Sequence, residues 1–119
     1  METLCRIRDI YRSITEFENT FQRHYGMGLN EGMLLCTLSK SGPCTSGEIA
    51  SFLGLTCSNT SKVIASAEKK ELIQRTLGDH DKRQMYFKLS KKGKEQLSAI
   101  REQDLELPEL LKTILPESH

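Results

Sequence analysis

The spacing of apolar residues changes twice along this 119-residue chain, and those changes limit the folds open to it. Up to Leu72 apolar side chains recur every three to four residues, the repeat of an amphipathic helix. From Ile73 to Leu89 they alternate, the repeat of a half-buried strand, and beyond Ser90 the helical spacing returns. A helical fold interrupted by one pair of short strands satisfies that order. Parallel α/β sheets and β-sandwiches, which need many strands, do not. The apolar inventory agrees, since 16 leucines stand against one valine, a bias toward helices over an extensive sheet.

The helices can be placed from their stripes and stops. Leu4, Ile7, Ile10, Tyr11, Ile14, Phe17, Phe21 and Tyr25 form one stripe of a long first helix, ended by Gly26 and Gly28. Asn30 is the expected N-cap of a second helix with Met33, Leu34, Leu35 and Leu38 inside, stopped by Ser41-Gly42-Pro43. Thr45-Ser46-Gly47-Glu48 has the form of a capping box, in which the hydroxyl accepts from a first-turn amide and the carboxylate reaches back to the cap amide. It opens a third helix carrying Ile49, Ala50, Phe52 and Leu53, and Gly54 suits a left-handed turn out of it. Thr56 then caps a fourth helix with Thr60, Val63, Ile64 and Ala67 inward, leaving Ser58, Asn59, Ser61, Lys62, Ala65, Ser66 and Lys69 outward. Strands are predicted over 73–77 and 85–89, joined by a polar loop. A helix with Leu97, Ile100 and Leu105 inward follows, and Pro108 opens a last short one bearing Leu110, Leu111, Ile114 and Leu115.

Two short helices joined by a tight glycine turn and followed by a hairpin make a winged helix-turn-helix. The expected fold class is therefore mainly α with a small β-hairpin, flanked by N- and C-terminal dimerisation helices. The chain reads as a single domain, 1–119, with a DNA-binding core at about 30–93 and dimerisation helices at about 3–25 and 94–116. Its formal charge of +1 hides a division, because residues 55–93 hold nine Lys and Arg against four Asp and Glu between mildly acidic flanks. A basic middle section fits a polyanionic partner, and a projecting helix fits a major groove about 12 Å wide. Ser58, Asn59, Ser61 and Lys62 are the candidate DNA contacts, with Asn59 suited to an adenine edge and Lys62 and the hydroxyls to phosphates. The plain alternative is a solvated face of small polar residues. Arg83 and Lys82 at the wing are further candidates, although Arg83 can instead pair with Asp81 in a solvated loop.

Asp81-Lys82-Arg83, five residues, then Leu89-Ser90-Lys91-Lys92-Gly93 resembles the wing signature of the MarR (multiple antibiotic resistance regulator) family. The resemblance covers roughly residues 30–97 and includes Glu68-Lys69-Lys70-Glu71-Leu72-Ile73-Gln74-Arg75, which is similar to the family's helix-to-strand junction. It implies that Arg83 enters or skirts the minor groove and that Asp81 stabilises the wing by ion pairing. A narrow minor groove does concentrate negative potential that favours a guanidinium. The chain departs from the family in having Glu71 where glycine is usual, Ala67 where a larger aliphatic residue is customary, and shorter terminal helices.

Cys5, Cys36, Cys44 and Cys57 match no zinc or C-x-x-C spacing and read as reduced thiols, so neither metal nor cofactor is expected. Cys57, in the first turn of the recognition helix, and Cys5, by comparison with peroxide-sensing members of the family, are the candidate redox sensors; small packed thiols are the plainer reading. No signal peptide or membrane span is evident, and a cytoplasmic location is expected. No catalytic constellation points to an enzyme. The expected function is sequence-specific regulation of transcription by a homodimer on a pseudo-palindromic duplex, controlled by a small-molecule or redox signal. A winged-helix module that docks proteins without binding DNA, or a PadR-like regulator, is the alternative.

Overall fold

The computed structural model describes residues 2–78, 83–103 and 105–116. Among them lie six helices and one hairpin, in the order α1 (Glu2–Tyr25), α2 (Leu29–Ser41), α3 (Ser46–Leu53), α4 (Cys57–Lys69), β1 (Ile73–Leu77), β2 (Met85–Leu89), α5 (Lys91–Glu102) and α6 (Glu109–Ile114). The switch of apolar period after Leu72 thus marks the start of the hairpin. These elements form two compact units, residues 29–103 and residues 1–28 with 104–119.

In the larger unit α2 occupies the centre, with Leu34 and Leu35 fully buried and Leu38 nearly so. Cys44, Ile49, Ala50, Ile64, Ala67, Leu72, Ile73, Phe87 and Leu97 complete the core. Three side-chain caps set the helix starts. Thr45 and Glu48 form the expected capping box at α3, Thr56 caps α4, and Ser90 caps α5. The strands pair antiparallel from Ile73 opposite Leu89 to Leu77 opposite Met85. Cys44 adds a single bridge to Phe87, its amide donating to the Phe87 carbonyl at 3.0 Å and its carbonyl accepting from the Phe87 amide at 2.8 Å. That bridge falls in a segment that reads only as a helix breaker, since one paired residue has no period.

Several local expectations change. α2 starts at Leu29, so Asn30 lies inside the first turn, and Met33 is exposed because Glu31, Leu34, Leu35 and Leu38 take the inner positions. Phe52 is exposed on α3. α5 ends at Glu102, before Leu105, and packs on α2 and β2.

In the smaller unit α1 packs with α6, and Phe21 and Leu111 are its buried helical residues. Phe17, Phe21 and Tyr25 stack in sequence along α1, with ring centroids 6.1 and 4.9 Å apart. Leu4, Ile7, Tyr11 and Ile14 from the same stripe remain exposed, as do Ile114 and Leu115. A cleft of about 500 Å³ lies between the two helices, lined by Arg6, Asp9, Ile10, Leu110, Thr113 and Ile114. Among the described residues no helix is long and apolar enough to cross a membrane.

Candidate nucleic-acid interface

α3, its turn and α4 are built from a few short-range constraints. Gly54 takes φ 68°, and the Leu55 amide donates to the Ala50 carbonyl at 3.1 Å, turning the chain within one residue of the helix end. The Thr56 hydroxyl accepts from the Asn59 amide at 3.1 Å, while the Thr56 carbonyl accepts from the Thr60 hydroxyl at 2.8 Å. Thr60 is therefore buried without an unpaired polar atom and faces inward with Ile64 and Ala67. Ser58, Asn59, Ser61 and Lys62 are all exposed on the remaining side of α4, with Ala65 and Lys69.

Ser66 departs from its expected outward position. It is partly buried, and its hydroxyl donates to Glu31 Oε1 at 3.1 Å. Lys70 Nζ donates to both oxygens of the same carboxylate at 2.9 Å. A buried glutamate on α2 gives no signal in the apolar period, and Glu31 is the residue that sequence reasoning missed.

The hairpin is joined to α4 by a second ion pair. Arg75 on β1 donates to the Glu68 carboxylate at 2.6 and 3.0 Å and lies over the Phe87 ring at 5.6 Å. Hydrogen bonding and then charge from Glu68 raise the Arg75 pKa above its already high ordinary value. Lys70 and Arg75, two of the nine cations of the basic section, are thus engaged by acids of the fold. At the far end of the hairpin the Gly78 amide donates to the Gln84 carbonyl at 3.1 Å, and Arg83 is exposed beside that closure. Asp81 and Lys82 lie outside the described residues. Lys88, Lys91 and Lys92 are exposed.

The segment 89–93 closes the wing at its base. The Ser90 amide donates to the Leu72 carbonyl at 3.1 Å and its hydroxyl to the Glu71 carbonyl at 2.6 Å, while the same hydroxyl accepts from the Gly93 amide at 3.0 Å. One side chain thereby caps α5 and ties the end of β2 to the residues that precede β1. Glu71 adopts φ 63°, the left-handed conformation that glycine would take without strain.

The four cysteines are separate free thiols. Cys57 is exposed at the first residue of α4 and Cys5 is exposed on α1. Cys44 is buried, its thiol donating to the Gly42 carbonyl at 3.3 Å; burial first, and the charge of Glu48 second, push its pKa up.

Residues 28–85 match the family model described as MarR family. No curated protein matches the chain. Among solved structures it is similar to a MarR family transcriptional regulator from Silicibacter pomeroyi, at 27% identity and a TM-score of 0.69, over 83% of this chain and 64% of that one. It is also similar in fold to MepR of S. aureus in a DNA complex, at 22% identity and a TM-score of 0.64, over 80% of this chain and 78% of that one. Reduced AbfR bound to DNA gives 24% identity and a TM-score of 0.72, over 85% of this chain and 75% of that one. The family match runs from the start of α2 through the helix-turn-helix to the first residue of β2, and this segment carries the domain of the MarR family of transcriptional regulators.

Proposed function

We propose that the protein regulates transcription by binding duplex DNA at specific sequences, with α4 in the major groove and Arg83 at the minor groove. The observation that carries this reading is the division of α4. Thr60, Ile64 and Ala67 hold one side in the core, and Ser58, Asn59, Ser61 and Lys62 stand exposed together on the other. Asparagine can bond an adenine edge through two groups, whereas serine and lysine suit phosphates and mixed edges. Lys62 and Lys69 on α4, Arg83, Lys88, Lys91 and Lys92 are all exposed and supply positive charge for a polyanionic partner. That MepR and AbfR have been solved on DNA supports the same reading.

The exposed stripe of α1, with Ile114 and Leu115, supports a homodimer. Leaving six large apolar residues in water forgoes roughly 25 cal/mol for each Å² that a second copy would cover. A twofold dimer would place two recognition helices about 34 Å apart and select an inverted repeat. A cytoplasmic small-molecule or redox signal that alters this separation would control binding.

The test is enrichment of bound sequences from random duplexes at two salt concentrations. An inverted repeat whose affinity falls steeply with salt is the expected result. Folded protein that enriches no sequence, and instead holds a protein partner with little dependence on salt, would overturn the reading.

A further inference from the structure

The apolar seat of α4 is thin. Its buried residues among those described are Thr60, Ile64 and Ala67, of which only Ile64 carries a long aliphatic side chain. Interdigitated side chains fix the roll of a helix, and a small contact such as alanine constrains it little. Directional polar contacts supply what is missing, and they converge on one group. Glu31 is 7% exposed in the first turn of the central helix α2, and its carboxylate accepts from Ser66 and from Lys70, residues one turn apart at the end of α4.

We propose that Glu31 is a positioning residue of the DNA interface. Its carboxylate grips α4 across a full turn and sets the roll at which Ser58, Asn59, Ser61 and Lys62 meet the groove. This rests on the DNA-binding reading above. At a side-chain radius of about 5–6 Å, a roll of about 10° moves the tips by roughly 1 Å. A contact constellation tolerates only about 0.5 Å of misplacement. Base contacts carry discrimination and phosphate contacts carry general affinity, so loosening α4 lowers the preference for the true site over other DNA. Lys70 is engaged by Glu31 and so adds no phosphate contact in the wild type, and removing its charge leaves the number of phosphates neutralised the same.

The experiment compares affinity for the selected operator and for a scrambled duplex across wild type, Glu31→Gln, Lys70→Met and Lys70→Arg, with folding checked by circular dichroism. Glu31→Gln keeps the shape and an acceptor for Ser66 but removes the charge that holds Lys70. Glu31→Gln and Lys70→Met are each expected to lower the operator-to-scrambled affinity ratio about tenfold, with scrambled-duplex affinity and the salt slope unchanged in Lys70→Met, and Lys70→Arg to keep wild-type discrimination. Should Glu31→Gln fail to fold, the two Lys70 variants carry the comparison. Folded Glu31→Gln with an unchanged operator-to-scrambled ratio overturns the positioning role. So does a Lys70→Met that weakens both duplexes alike and lowers the salt slope, which would make Lys70 a phosphate contact. Wild-type protein that binds no duplex overturns the DNA reading itself, and is distinct from both outcomes.

Discussion

A Cβ added to Gly93 would overlap the carbonyl oxygen of Leu72 and stand 3.1 Å from the carbonyl carbon. The first turn of α5 therefore passes directly over the peptide that leads into β1. Ser90, three residues earlier at the N-cap, bonds that same carbonyl through its amide and the neighbouring Glu71 carbonyl through its hydroxyl. Gly93→Ala meets backbone, which cannot swing aside as a side chain can, and is expected to destabilise the fold by about 2–3 kcal/mol. Ser90→Ala loses the α5 cap and leaves the Glu71 carbonyl without that donor, costing about 1–2 kcal/mol. Urea unfolding checks both; a Gly93→Ala midpoint equal to wild type would show that the close approach does not constrain this side of the wing.

Glu71 is the counterpart case, a position where glycine is absent and strain is present. With φ at 63° it bears the left-handed penalty of roughly 1–2 kcal/mol for a residue with a Cβ. Glu71→Gly removes that penalty but adds freedom to the unfolded chain, worth about 0.5–1 kcal/mol in the opposite direction. The expected net gain is about 0.5–1 kcal/mol, seen as a higher urea midpoint at unchanged slope, whereas Glu71→Ala keeps the strain and gains nothing. A midpoint lowered by Glu71→Gly would mean that the Glu71 side chain contributes more than its backbone costs.

These two positions also mark where the sequence was readable. The family's Leu-Ser-x-x-Gly pattern locates Ser90 and Gly93, and the period change places both strands, because each rests on local chemistry or a short repeat. Glu31, Ser66 and Lys70 are invisible to both tests. A carboxylate more than thirty residues from a hydroxyl and an ammonium group joins them in a cluster only after α2 and α4 pack, and each alone reads as a surface residue. Met33 and Phe52 fail for the opposite reason: both fit an apolar stripe, yet short helices bury few of their apolar positions and leave these two at the surface.

On the proposed DNA-binding reading, the exposed cations divide by role. Lys62→Ala should remove one phosphate neutralised per protomer, so the slope of log affinity against log salt should shrink by about 2 for a dimer. Arg83→Ala should cost about 1–3 kcal/mol per half-site and relax preference for narrow, A·T-rich flanks. Titrations of the selected operator and of flank-substituted versions at several salt concentrations check both. Arg83→Ala binding every flank as wild type does would remove the wing from the interface.

The thiols differ in access. Cys5 and Cys57 are exposed, whereas Cys44 is buried with its pKa pushed up, so alkylation at neutral pH should reach the first two well before Cys44. The raised folded-state pKa also fixes a sign. Above the ordinary thiol range the unfolded chain releases the Cys44 proton before the folded one does, so stability should fall as pH rises there. Cys44→Ala should flatten that fall, read from urea midpoints between neutral and alkaline pH. A redox role for Cys57 requires more, namely that peroxide weakens operator binding in wild type and not in Cys57→Ser.

The apolar stripe of α1 yields the test of assembly. Ile7 and Tyr11 are 45% and 69% exposed one turn apart, and neither belongs to the buried set of its own unit. Replacing either with glutamate should leave helix content and the unfolding midpoint of the monomer nearly unchanged, since an exposed position on a helix tolerates glutamate well. Across a dimer interface the same change buries an unpaired carboxylate twice, once from each copy, a cost of several kcal/mol. Sedimentation should then give a dimer for wild type and a monomer for Ile7→Glu or Tyr11→Glu at equal concentration. Operator affinity should fall toward that of a single half-site, because the second recognition helix is no longer tethered beside the first. Variants that remain dimeric and bind the inverted repeat as wild type does would locate the dimer contact away from this stripe.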